Sequence, residues 1–95
     1  MADTLSSRLE ARVRRDFRSG EAELVRARLV TLQLALAEKQ SLERIQAAVV
    51  LLADGDLDKL RAAAERAERD WRDVLVWSGL GNGDWPARLE QELGS

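Results

Sequence analysis

Four carboxylates in the middle of this chain stand at the spacing of a calcium loop. Asp54, Asp56, Asp58 and Glu65 fall at positions 1, 3, 5 and 12 of an EF-hand loop. Position 6 is Lys59, where such a loop needs glycine for its sharp turn, and its ammonium would sit beside the ion. The stretch also reads as helix from Leu57, which sends the carboxylates apart. It predicts a capped corner and no metal.

The same corner has the outline of a helix-turn-helix. Its would-be recognition helix begins with Asp56 and Asp58, however, and these would face phosphates. Carboxylate pairs for acid/base work would be Glu65 with Glu68 or Asp70 with Asp73. Each has an arginine at helical spacing, which favours ordinary ionised groups. The chain has neither cysteine nor histidine, so disulfides, thiol chemistry and the commonest general base are excluded. Ser7, Ser19 and Ser41 stand where helix caps belong, and no histidine could activate them. The expectation is a protein that is not an enzyme and needs no cofactor.

Two side-chain groups could serve binding. Arg8, Arg12 and Arg15, with Arg14 and Arg18, make a basic face on the first helix, relieved by Glu10 and Asp16. Such a face could meet nucleic acid, but the chain's net charge of -2 favours a plain solvated surface. The membrane reading fails because the apolar side is short and needed by the core. The second group is Trp77, Leu80, Trp85 and Leu89, a candidate contact surface for a protein partner or a second copy. Against it stands a plainer reading, in which Trp85 and Leu89 fold back as a lid over the fourth helix. The plainer reading is favoured, because large exposed apolar patches are rare on monomers. Trp71 falls on the buried stripe of that helix and is expected in the core.

The elements that must position these groups are all helical. Leu9, Val13 and Phe17 recur at i+4 behind Ser7 and Glu10, predicting a helix over 7–18. Ser19-Gly20 breaks it and caps a second helix over 20–39, where Val25, Leu29, Leu32 and Leu36 form the stripe. Val30 and Leu34 widen that stripe beyond one face. Lys39-Gln40-Ser41 ends it, with Ser41 capping a third helix over 42–53. This one is apolar nearly all round (Ile45, Ala47, Ala48, Val49, Val50, Leu51, Leu52) and therefore central. Gly55 closes it in the left-handed region and Asp56 caps a fourth helix over 57–78. So short a link makes these two helices packed neighbours. Leu57, Leu60, Ala64, Ala67, Trp71, Val74, Leu75 and Ser78 form the inner face of the fourth. Its outer face offers the i,i+4 pairs Glu65–Arg69, Arg66–Asp70, Glu68–Arg72 and Arg69–Asp73. Gly79, Gly81 and Gly83 then turn the chain, and Asp84 caps a short helix to residue 93 with Pro86 in its first turn.

Ninety-five residues, 45% apolar and 34% charged, make one soluble domain spanning 1–95. The fold expected is all-α, a compact bundle of four main helices plus a short C-terminal helix. Residues 1–53 carry nine basic and seven acidic side chains, residues 54–95 six and ten, so the halves should attract one another. No apolar leader opens the sequence, and the longest apolar run, 47–53, is far short of the ~20 residues that span a bilayer. A cytoplasmic location is expected. Thirteen arginines against two lysines suit a GC-rich bacterial genome.

Residues 44–80 resemble a family of small, uncharacterised bacterial helical proteins. The resemblance rests on Glu43-Arg44-Ile45-Gln46-Ala47-Ala48, on Asp54-Gly55-Asp56-Leu57 and on Arg69-Asp70-Trp71-Arg72-Asp73-Val74-Leu75. The run 12–17, Arg-Val-Arg-Arg-Asp-Phe, is similar to that family's first helix, although Ser19-Gly20 stands where its members have a proline-containing turn. The resemblance implies a helical, cytoplasmic protein and no activity. By elimination the sequence points to a non-enzymatic protein-interaction module or a homodimer. The alternative is weak nucleic-acid binding through Arg8, Arg12 and Arg15.

Overall fold

A computed structural model describes residues 5–36 and 42–94. Five helices and no strand occur among them: α1 Ser7–Asp16, α2 Ser19–Ala35, α3 Leu42–Ala53, α4 Leu57–Ser78 and α5 Trp85–Leu93. The fold is an all-α bundle with a short C-terminal helix. Its radius of gyration of 11.9 Å is close to the ~12 Å of a compact chain this long.

The most apolar helix sits at the centre. α3 touches each of the other four helices and packs most extensively on α4. Ile45, Ala47, Ala48, Val49, Val50 and Ala53 are fully buried in it. Facing them on α4 are Leu60, Ala64, Ala67 and Val74, also fully buried, and the alanines let the two backbones approach. One buried polar group enters this core. The Gln46 amide donates to the Leu29 carbonyl of α2 (3.1 Å) and to the Gln33 side chain (3.3 Å), which ties α3 to α2 without leaving a polar atom orphaned.

Helix ends depart from the predicted ones for local reasons. Ser6, not Ser7, caps α1: its backbone is extended and its hydroxyl accepts from the Leu9 amide. α1 stops at Asp16 because Phe17 turns extended to enter the core, and Arg18 follows in extended backbone. α2 therefore starts at Ser19, with Arg18 in the cap position and no side-chain cap bond. It ends at Ala35; the predicted stop at Lys39-Gln40-Ser41 lies outside the described residues. The α3–α4 corner forms as its residues dictate. Asp54 and Gly55 both take positive φ (49° and 80°), and the Asp56 carboxylate accepts from the Lys59 amide.

α4 is not one straight helix. Asp70 leaves helical geometry (φ -153°, ψ 91°), and its carboxylate accepts from the Arg72 amide two residues on. Of the four predicted i,i+4 pairs only Glu65–Arg69 forms, at 3.3 Å, ahead of the kink. Across it the partners change: Arg66 pairs with Asp73, seven residues away, and Glu68 with Arg28 of α2 at 2.7 Å. That last pair joins the basic and acidic halves. α2 and α4 run parallel, since Arg18 and Glu21 share a surface pocket with Asp56 and Asp58 at one end.

α4 closes in a Schellman motif. Gly79 (φ 85°) donates to the Val76 carbonyl and Leu80 to the Leu75 carbonyl (2.9 Å), while both leucines are buried. α5 then packs back on α1 and α3. Asp84 makes no side-chain cap bond, contrary to expectation.

Candidate interaction surface

The four residues of the candidate Trp77–Leu89 surface do not share one. Leu80 and Leu89 are core residues, 0% and 1% exposed, because the glycine corner folds α5 back on the bundle. The helix folds back as the plainer reading has it, but over α1 and α3 and not over α4. Trp85 is half-buried under Arg44, whose guanidinium lies 4.6 Å from the ring centre and donates to the Leu80 carbonyl at 2.8 Å. Only Trp77 faces solvent, 59% exposed, with Val76 beside it. The Arg66 guanidinium stands 5.7 Å from the Trp77 ring centre and is held by Asp73. Trp71, expected in the core, is only half-buried and carries Arg72 against its ring at 5.5 Å. The kink at Asp70, one residue earlier, turns this position partly outward.

The basic face of α1 is largely occupied. Arg8 forms a bidentate pair with Glu43 of α3 (2.7 and 2.8 Å). Arg12 binds Asp16 at 2.8 Å and donates to the Glu92 carbonyl at 2.7 Å, while Arg8 reaches the Gly94 carbonyl at 3.4 Å. Two of the three arginines thus cap the C-terminus of α5, where cations suit the helix dipole. Arg15 is exposed and lies 3.5 Å from Asp16. Two residues of the face that sequence presents, Arg8 and Arg12, clamp the last helix, while Arg14, Arg15 and Arg18 stay exposed.

Glu43 is the best-held carboxylate. Its pKa is lowered, first by the hydrogen bond from Arg8, against the opposing effect of partial burial, with further help from the Ser6 hydroxyl at 2.5 Å. A depressed folded pKa stabilises the fold above the unfolded carboxylate value near ~4.3 and loses that contribution as pH falls through the folded value. Glu43→Gln should therefore cost stability at neutral pH and much less in acid. Urea midpoints of both proteins at about pH 7 and about pH 3 measure this, and an equal loss at both would contradict it.

The Asp corner holds no ion-binding geometry. Asp56 is spent on its cap, the Asp58 side chain stands fully in solvent 3.9 Å from Arg61, and no metal-competent group of acidic side chains occurs among the described residues. A cleft of about 240 Å³ between α1 and α2 has Leu5, Val13 and Ala22 as its floor, with the Arg26–Glu10 ion pair (2.6 Å) on its wall.

The remaining surface is the outer side of α2. Leu24, Ala27, Thr31, Leu34 and Ala35 are all exposed, the two leucines 51% and 73%. No charged side chain lies among them. Arg28, at the edge, is half-buried and drawn aside by Glu68. The Thr31 hydroxyl donates to the Ala27 carbonyl at 3.1 Å, so even this residue is spent internally. The exposed sides of α1, α4 and α5 carry charges, and α3 exposes no residue fully. Sequence reasoning sets Leu24 and Ala35 on the flanks of the buried stripe and does not single out Ala27 or Thr31. The signal was there in Leu34 and Val30, which carry the apolar stripe past the width one core can cover.

The chain matches no model of a known protein family, no curated protein and no solved structure. No described helix is long and apolar enough to cross a membrane.

Proposed function

We propose that this protein is a non-enzymatic helical module that works by contact with another protein chain, through the outer face of α2. The observation that carries the reading is the uncharged, exposed run Leu24–Ala27–Thr31–Leu34–Ala35 on a bundle whose other exposed helix sides are charged. A helix apolar on both sides is ordinarily covered on both sides. Trp77 and Val76 form a second, smaller apolar site on α4. The nucleic-acid alternative loses its support, since Arg8 and Arg12 are committed to carboxylates and to the end of α5. A cytoplasmic, bacterial setting is consistent with a cysteine-free chain rich in arginine, as is the resemblance to small bacterial helical proteins.

Photo-cross-linking in the producing cell tests the reading. A probe replacing Leu34 should yield protein adducts, and one replacing Arg69 on the outer side of α4 should yield few. Equal yields from the two positions, or none from Leu34, would overturn it.

A further inference from the structure

We infer that α5 is a hinged lid: it lifts from α1 and α3 as one unit while α1–α4 stay folded, and three arginines set how often it opens. This is independent of the reading of α2. Among the described residues α5 packs on α1 and α3 and on no other helix. Leu89 is its one buried residue, with Trp85 and Leu93 half-buried against the core four residues to either side. α3, by contrast, buries seven residues. α3 packs directly on α1, α2 and α4, so α5 can leave without parting any of these.

The fastenings at the two ends of α5 are of another kind. All three are contacts of half-buried guanidinium groups. At the C-terminal end Arg12 donates to the Glu92 carbonyl at 2.7 Å and Arg8 to the Gly94 carbonyl at 3.4 Å. At the N-terminal end Arg44 lies 4.6 Å from the centre of the Trp85 ring. None of these cations depends on α5 for a partner. Arg8 keeps Glu43, Arg12 keeps Asp16, and Arg44 keeps the Leu80 carbonyl. When α5 lifts, water replaces a carbonyl or a ring at each guanidinium, and no buried charge is left alone.

The hinge lies in the corner ahead of the helix. Leu80 is buried and bonded to the Leu75 carbonyl, which fixes the chain to α4 up to that point. Gly81, Asn82, Gly83 and Asp84 beyond it are all exposed, and two glycines among them let the backbone turn at little cost. A segment with so few buried apolar contacts opens at a free energy well below that of global unfolding. Opening bares Trp85, Leu89 and Leu93 together with the strip of α1 and α3 beneath them. That strip is a seat for a short helix whose last carbonyls meet Arg8 and Arg12, and α5 keeps it shut.

Hydrogen exchange of the full chain, read amide by amide by NMR, tests the lid. Amides from Arg88 onward are bonded within α5, beginning with Arg88 to the Asp84 carbonyl at 3.1 Å. Those of residues 88–93 should share one protection factor, at least about tenfold below that of the α3 amides over 49–53. Arg12→Gln should speed exchange throughout 88–93 by about tenfold. Arg44→Gln should speed the same amides by roughly threefold, although Arg44 meets α5 only at Trp85. Neither variant should change exchange over 49–53.

Protection at 88–93 equal to that of α3 would show that α5 leaves only when the whole chain unfolds, and would overturn the lid. Protection that falls steadily from Leu89 to Leu93 and ignores Arg44→Gln would overturn it as well, since that is a fraying end and not a unit. So would a variant that speeds α3 as much as α5, because the two would then open together.

Discussion

Replacing Leu80 by alanine should destabilise the chain by about 2–5 kcal/mol, the range for large-to-small changes at fully buried leucines. By sequence this residue is a surface candidate. In the structure it is completely buried, follows the left-handed Gly79, closes the end of α4 on the Leu75 carbonyl, and lends its own carbonyl to Arg44. Alanine keeps those backbone bonds and loses the packing. Against a total stability of ~5–15 kcal/mol, the loss is large and should lower the melting temperature by roughly 10–30 °C. Trp77→Ala is the contrast. Its ring is mostly solvated and its contact with Arg66 is worth about 0.5–1 kcal/mol, so the effect should stay near that size. Urea unfolding of the two variants decides between a core and a surface role for the tryptophan-bearing end. A Leu80→Ala loss under about 1 kcal/mol would contradict the burial described.

Gly55→Ala should cost about 1–3 kcal/mol. Its φ of 80° is a conformation that side chains with a Cβ adopt at a cost, and a Cβ there would stand 3.1 Å from the Asp16 carbonyl oxygen. That oxygen belongs to the end of α1, so relief of the contact would have to move one helix against another. Gly20→Ala provides the opposite case in the same measurement. A Cβ there meets nothing within 4 Å, and inside the first turn of α2 alanine should stabilise by up to about 1 kcal/mol. Similar effects from both substitutions would contradict both the left-handed geometry of Gly55 and its closeness to α1.

Those two glycines illustrate which parts of the fold sequence reveals. Gly55 and Asp56 are local devices whose geometry is dictated by their own chemistry, and the corner they make is legible without coordinates. The same is true of α3, whose apolar character on all sides announces a central place. The kink at Asp70 is not legible. The run of alternating charges around it satisfies every rule for an unbroken helix, and only the chain's choice to bond the Asp70 carboxylate to the Arg72 amide breaks it.

The internal partners of the binding candidates are hidden from sequence for a related reason, which is distance along the chain. Arg8, Arg12 and Arg15 do lie on one side of α1, as their spacing requires. What occupies Arg8 and Arg12 is Glu43, 35 residues away, and the Glu92 carbonyl, 80 residues away, and neither leaves a mark on the local pattern. Trp85 and Leu89 likewise follow a glycine corner that can aim in any direction, and packing against α1 and α3 decides the aim. The surface that remains was hinted at by Leu34, an apolar residue in excess of what the stripe needs. Its meaning emerges only once the bundle shows which side of α2 is left uncovered.

The most direct measurement is therefore the pattern of photo-cross-links from probes replacing Leu24, Leu34, Arg69 and Trp77, one at a time, in the cell. The uncharged face of α2 predicts high adduct yield at Leu24 and Leu34, less at Trp77 and little at Arg69. Strong adducts at Trp77 with none at Leu24 and Leu34 would return the contact surface to the end of α4 and contradict the account.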